Sequence, residues 1–373
     1  MTSTATAIVG LSGGVDSAVA ALLLRDRGYD VQCLHMSNWE DDGYCDNARE
    51  FQDARTVAET LGLPLHRVNF ADEYKEQVFE QFLSELEAGR TPNPDVLCNR
   101  QIKFGEMRRY AHRLGGRYLA TGHYARIRRN DEAVQLLKGQ DADKDQSYFL
   151  HAVDAGELDD VIFPLGELTK LEVRRLARES GLAVADKKDS TGICFIGERP
   201  FAEFLGEYLP EDPGPIKSLG GDTLGEHRGL AYYTIGQRQG LGIGGIANRR
   251  SEPWYVVSKD RERNALIVVQ GGNHPNLFTD CLRATRAHWV NGEPAALRAG
   301  RQLRCRAKTR YRQPDQPCSV VRTGADDLEV IFETPQRAVT PGQYVVFYAD
   351  DVCLGGATIE SATLRGADLE AAV

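Results

Sequence analysis

Ser12-Gly13-Gly14-Val15-Asp16-Ser17 restricts the fold more than any other stretch of this chain. It follows an apolar run, Ala5 to Leu11, with the length and character of a short buried strand. It precedes Ala18 to Leu24, which reads as the first turns of a helix. A glycine-rich turn between strand and helix presents successive backbone N–H groups, and the positive end of the helix, to an anion. Gly13 and Gly14 let the backbone approach that anion closely. Ser12 and Ser17 add hydroxyl donors. Asp16 suits a phosphate site only if a cation intervenes, so the sequence predicts Mg²⁺ arriving with a nucleotide and no metal held by protein ligands alone.

The stretch lacks the Gly-Lys-Ser/Thr of a Walker A loop and the Gly-x-Gly-x-x-Gly of a dinucleotide fingerprint. Ser-Gly-Gly-x-Asp-Ser resembles instead the PP-loop of ATP pyrophosphatases. Those enzymes cleave ATP between the α and β phosphates and adenylate a substrate. The competing reading is an ordinary strand-to-helix turn.

At 373 residues the chain is long enough for two or three domains. No apolar run reaches bilayer length and no secretory leader is read at the N-terminus, so the expected location is the cytoplasm, with no membrane contact. The eight cysteines form no Cys-x-x-Cys pair and no zinc spacing. The net charge of −9 argues against a nucleic-acid partner for the chain as a whole. Between Cys281 and Gly324, however, ten lysines and arginines face two acids, Glu293 and Asp315. Such local basicity suits contact with a phosphate backbone; the alternative is a solvated strand face.

Strand and helix signals alternate through the first 200 residues. Strands are read at Val31–Met36, Leu65–Phe70 and Arg117–Gly122. Helices are read at Glu50–Leu61, from a cap at Asp72 to Gly89, at Lys103–Leu114, and at Thr169–Ser180 with a capping box from Thr169 to Glu172. This predicts a doubly wound α/β fold with a mainly parallel sheet, followed by a small β-rich unit and a C-terminal β-barrel. The expected boundaries are 1–200, 201–275 and 276–364, with a frayed tail over 365–373. A hairpin is expected over Arg126–Lys138, turning at Asn130-Asp131.

Two further stretches carry chemistry. Thr91 to Phe104 reads as an extended loop running into a helix, with Cys98 near the helix N-terminus, where the dipole favours thiolate. Asp95 lies three residues before it, placed to move a proton or orient a substrate. Cys194 follows a Ser-Thr-Gly turn with Lys187 and Lys188 upstream. Two cysteines in irregular, glycine- or proline-marked loops suggest a pair meeting at one site; buried structural thiols are the bland alternative.

Taken in order, these stretches resemble the bacterial tRNA-specific 2-thiouridylases. The resemblance rests on Ser12–Ser17, Asn93–Asn99 with Ile102–Phe104, Ala120–His123, Lys144–Ser147, Ser190–Cys194, Tyr233–Arg238, Arg310–Gln313 and Pro341–Gln343. It implies ATP on Gly10, Leu11, Ser12, Gly13, Gly14, Val15, Asp16 and Ser17, with Met36 and Gly122 near the adenine. It implies tRNA contacts at Asn93, Pro94, Asp95, His123, Lys144, Asp145, Gln146, Arg310, Tyr311 and Gln343. It further implies a persulfide on Cys194, delivered by a sulfur carrier protein, with Cys98 as partner thiol and a transient Cys98–Cys194 disulfide. Taken alone, His123 has a competing reading as a satisfied core histidine. The expected assembly is a monomer. Two other readings stand beside this one: a PP-loop synthetase adenylating a small metabolite, and a non-catalytic RNA-binding protein that keeps the loop as a relic.

Overall fold

The computed structural model describes residues 4–39, 47–130, 133–189, 200–243 and 252–364. Five strands form the first sheet: β1 (Thr6–Gly10), β2 (Asp30–Ser37), β3 (Leu65–Asn69), β4 (Tyr118–Ala120) and, after the hairpin β5 (Ala125–Arg129) and β6 (Val134–Lys138), β7 (Val161–Ile162). Their order is β3-β2-β1-β4-β7 and every pairing is parallel. Alternation along β1 sorts its side chains between two cores. Ala7 and Val9 join one with the helix Val15–Asp26, while Ile8 joins the other with Phe104, Met107 and Leu119. The sheet is thus covered on both faces, and its strand order reverses between β1 and β4. Ligands in such sheets bind at the carboxyl ends of the strands at that reversal.

Two helices differ from the sequence reading. Asp72 is not a cap: the helix begins at Ala71 with Phe70 as N-cap, and Asn69 Oδ1 accepts from the Ala71 N–H at 3.0 Å. The second helix starts well before Lys103. Pro94 occupies its first turn, where a missing N–H costs nothing, and Asn93 caps it by accepting from the Asp95 N–H at 3.2 Å. The turns Pro94–Leu97, Cys98–Met107 and Arg108–Arg113 then follow one another, the middle one π-helical. Only Thr91–Asn93 remains irregular, so Cys98 lies within the helix, one turn beyond its start.

The middle unit is a four-stranded sheet of β8 (Gly214–Ser218), β9 (Thr223–His227), β10 (Trp254–Asp260) and β11 (Ala265–Gln270), in the order β10-β11-β8-β9. The last unit comprises β12 (Phe278–Trp289), β13 (Leu303–Lys308), β14 (Gln316–Arg322), β15 (Leu328–Arg337), β16 (Tyr344–Ala349) and β17 (Val352–Thr363). They run β12-β15-β14-β13-β16-β17, and β17 pairs back to β12, closing a six-stranded barrel. The β5–β6 hairpin forms as expected, although Asp131 lies outside the described residues. Its β6 strand adds to the barrel through Leu137 opposite Val352. The tail beyond residue 364 is likewise outside them.

Candidate active site

The loop after β1 is built by its own residues. The Ser12 N–H donates to Ser17 Oγ at 3.1 Å, and Ser17 Oγ donates to the Gly14 carbonyl at 3.1 Å. Gly14 is the N-cap of the helix Val15–Asp26, and no side chain caps it, which leaves N–H groups of the first turn for an incoming anion. Leu11 is pinned on both sides, its N–H to the Leu34 carbonyl at 2.9 Å and its carbonyl to His35 Nδ1 at 2.9 Å. Gly13 has a φ of +77°, and a Cβ there would meet the Glu50 carbonyl at 2.4 Å. Among the described residues Gly14 has no such neighbour: the nearest atom to a Cβ there would be Ser12 Oγ at 3.5 Å. The backbone at Gly13 is therefore dictated by the fold, while the space beside Gly14 is open to a ligand.

The turn after β4 packs directly against this loop. A Cβ on Gly122 would come within 2.8 Å of both the Asp16 carbonyl carbon and the Ser17 nitrogen. Tyr124 donates its hydroxyl to Asp16 Oδ1 at 2.8 Å. Met36 is half-buried on β2, and Gly10 closes β1 against Met107. The two strand ends thus face one crevice.

A network of charges that sequence reasoning missed surrounds the loop. Lys170 Nζ lies 2.7 and 2.8 Å from the two Asp16 oxygens and 2.8 Å from Asp189. Asp189 also binds Lys144 at 2.7 Å and Arg174 at 2.9 Å. Burial pushes the Asp189 carboxyl up, but the bonds from Lys144 and Lys170 outweigh it and hold the group down at about 2. Lys187 reaches the Gly13 carbonyl at 3.1 Å and Asp53 at 2.6 Å. Lys187 stood out as one of two lysines before Cys194; Lys170 and Asp189 carried no such signal, because their partners lie far away in sequence. Cys194 and the Ser190–Ile193 turn before it lie outside the described residues.

Cys98 is buried, and Asp95, at i−3, shares its helix face. Burial raises the Asp95 carboxyl above its ordinary value, with Lys103 acting in opposition. Gln343 donates to the Thr91 carbonyl at 2.7 Å, and the Thr91 N–H donates to the Pro341 carbonyl at 2.9 Å, so the barrel holds the segment that leads into Asn93. Tyr311 packs on Phe149, ring centroids 4.5 Å apart, and Arg310 donates to the Ala338 carbonyl. Gln146 accepts from the Tyr124 N–H at 2.9 Å.

Three of the residues assigned to tRNA lie inside the protein: Pro94, His123 and Asp145. His123 sits between Phe104 and Phe163 with a 2.7 Å bond to Thr121 Oγ1, and burial, aided by the Lys103 charge, drives its pKa well below the usual histidine value. Asp145 is enclosed and faces Lys308. The basic stretch is also less free than its composition implies. Arg286 pairs with Glu85, Arg306 with Asp315, Lys308 with Asp145 and Arg322 with Glu293, whereas Arg283, Arg298, Arg301 and Arg304 are exposed. Among the described residues no cluster of three metal-binding side chains occurs, and no helix is long and apolar enough to cross a membrane.

The family described as "tRNA methyl transferase HUP domain" matches residues 5–198, the "tRNA methyl transferase PRC-barrel domain" matches 202–270, and the "Aminomethyltransferase beta-barrel domain" matches 279–359. The tRNA-specific 2-thiouridylase MnmA of Methylococcus capsulatus is 58% identical over 356 residues, 95% of each chain. This chain belongs to the tRNA-specific 2-thiouridylase family. The family's enzymes are sulfurtransferases. The proteins of the same name from Marinobacter nauticus and Stutzerimonas stutzeri are 57% and 56% identical, over 95% of this chain and 90% and 94% of theirs. Membership accounts for the three-part architecture in full: a parallel-sheet nucleotide-type domain, a middle barrel-like unit and a C-terminal β-barrel.

Proposed function

We propose that this chain replaces the oxygen at carbon 2 of the wobble uridine of tRNA with sulfur, in an ATP-dependent reaction. The observation that supports this best is the pairing of a loop left open at Gly14 for a phosphate with a half-buried acid, Asp95, and a buried thiol, Cys98, on one helix face. The uridine leaves the anticodon stack and enters the crevice between the loop and the Asn93–Cys98 turn, because chemistry on a base requires it to be unstacked. Its O2 attacks the α-phosphorus of ATP, the bond to the β-phosphate oxygen breaks, and pyrophosphate leaves. Lys170 and the N–H groups of the first helix turn offset the charge that develops. Mg²⁺ carried on the triphosphate would neutralise phosphate charge, and Asp16 would serve it only by exchanging its Lys170 and Tyr124 bonds for the cation.

Asp189, the last described residue before Cys194, is clamped beside the loop by Lys144, Lys170 and Arg174. A sulfur carrier protein loads Cys194 as a persulfide. The terminal sulfur attacks carbon 2 and AMP departs with the oxygen. The Cys98 thiolate then attacks Cys194 Sγ, which frees the thiouridine and leaves a Cys98–Cys194 disulfide for a cellular reductant to reset. Residues 1–200 carry this chemistry, 201–275 join it to the barrel, and the barrel of 276–364 holds the tRNA through Arg310, Tyr311 and its exposed arginines. The enzyme works as a cytoplasmic monomer.

The test is thiolation of unmodified tRNA with ATP, Mg²⁺ and a sulfide source, with Cys98→Ala and Cys194→Ala alongside. Sulfur incorporated by the parent and lost in both variants supports the reading. Pyrophosphate release that ignores tRNA would overturn it in favour of a small-metabolite synthetase.

A further inference from the structure

The buried ion pair between Lys308 and Asp145 belongs to neither the loop nor any exposed surface. Its side chains are 9% and 2% exposed, with Nζ 3.1 Å from Oδ2. Lys308 ends barrel strand β13, and Asp145 lies in the segment that links β6 to the rest of the first domain. Every acceptor position of the carboxylate is filled. Oδ1 accepts from the Gly139 N–H at 3.0 Å and the Ser147 N–H at 3.1 Å, and Oδ2 accepts from Ser147 Oγ at 3.0 Å as well as from Lys308. Ser147 Oγ in turn meets the Tyr348 hydroxyl of β16 at 3.2 Å. Asp145 is therefore an internal post that fixes the turn from 139 to 147 and bolts it to the barrel.

The neighbours of that post both reach the ATP crevice. Lys144, one residue before, holds Asp189 at 2.7 Å, and Asp189 shares Lys170 with Asp16. Gln146, one residue after, exchanges two bonds with the Tyr124 backbone, each 2.9 Å, and the Tyr124 hydroxyl holds Asp16. On the barrel side, Lys308 stands two residues before Arg310 and three before Tyr311, whose hydroxyl lies 3.5 Å from the Lys144 carbonyl. From barrel to phosphate loop the contacts are continuous, and the Lys308–Asp145 pair is the buried ion pair among them.

We infer that Lys308 and Asp145 are positioning residues that couple tRNA seated on the barrel to the geometry of the phosphate loop, so that adenylation proceeds when tRNA is in place. The inference rests on the thiolation reading for its substrate. Both side chains are buried, so each acts through Lys144 and Gln146.

The experiment compares the parent with Lys308→Met and with Lys308→Met/Asp145→Asn. The double variant keeps an acceptor for the Gly139 and Ser147 N–H groups and removes both charges, so it remains informative if the single variant fails to fold. The expected result for the double variant is a melting temperature near the parent's and Kd values for ATP and for an unmodified tRNA transcript within threefold. Its kcat for tRNA-dependent pyrophosphate release should fall at least tenfold. Amide exchange at Tyr124 and Gln146, measured without tRNA, should quicken at least tenfold. Parent-level kcat, or a loss no larger than the unfolded fraction, would overturn the inference. So would unchanged exchange at Tyr124 and Gln146. If the parent itself released no pyrophosphate with tRNA, the functional reading would fail, while the exchange arm would still decide whether the pair holds the crevice.

Discussion

Asp16 and Lys170, 154 residues apart in sequence, meet with their charged atoms 2.7 Å apart at the mouth of the phosphate loop. The Lys170 side chain is 12% exposed and its ammonium is shared with Asp189, so the loop's one carboxylate meets an incoming triphosphate already paired. Lys170→Met should leave Asp16 facing the phosphates uncompensated. ATP affinity should drop about tenfold or more, equivalent to about 1.4 kcal/mol. Calorimetric titration with ATP checks this, and an unaltered Kd would show that Lys170 serves only the fold.

The two loop glycines should separate fold from ligand. Gly13→Ala places a Cβ 2.4 Å from the Glu50 carbonyl at positive φ, and the expected cost is about 1–3 kcal/mol of stability. Gly14→Ala meets nothing closer than 3.5 Å among the described residues, so its melting temperature should match the parent's while ATP binding weakens. Thermal melts and ATP titration of both variants are the check. Equal ATP affinity in Gly14→Ala and the parent would place the phosphates elsewhere.

Burial raises the Asp95 carboxyl above its ordinary value, and Lys103 only partly opposes this. If Asp95 accepts a proton during thiolation, the rate should decline as pH falls through an apparent pKa above 3.8. Asp95→Asn should lower kcat at least tenfold and remove that acidic limb. Single-turnover rates across pH 4.5–8 measure it; a limb that persists in the variant belongs to another group.

His123 is held neutral by burial, and His151, also buried, is depressed to about 4. For a base whose folded pKa is lowered, the stabilisation is complete above its unfolded value of 6.5 and is lost as pH falls below it. Stability should therefore decline below pH 6.5, by up to about 1.4 kcal/mol per pH unit for each such histidine. His123→Phe should flatten the decline by one histidine's share. Urea titrations at stepped pH test this, and parallel slopes for variant and parent would show that His123 protonates in the folded state.

The elements that could be read from sequence were those whose determinants are local. β1 and the helix after it follow from an apolar run, a Gly-Gly turn and a second apolar run. The Thr169–Glu172 capping box formed as its spacing implied. The barrel followed from short alternating runs broken by proline and glycine. The start of the Pro94 helix was misjudged because two prolines suggest extended chain, yet Pro94 falls at the one helical position that tolerates it. The charge network was illegible for a different reason. Lys170 looks like any exposed first-turn lysine until the sheet brings it to Asp16, and four residues of the basic stretch take carboxylate partners, Lys308 alone of them turning inward.

The single register pair between Leu137 and Val352 sets an order of events during synthesis. The ribosome makes the β5–β6 hairpin more than 200 residues before the strand that covers its edge. At typical elongation rates β6 waits roughly 10–40 s with open backbone donors and acceptors. Through that interval the first domain carries an unsealed strand edge, the kind of surface on which nascent chains pair wrongly with one another. Chaperone demand should accordingly fall when the final strand emerges, rather than when the nucleotide domain is complete.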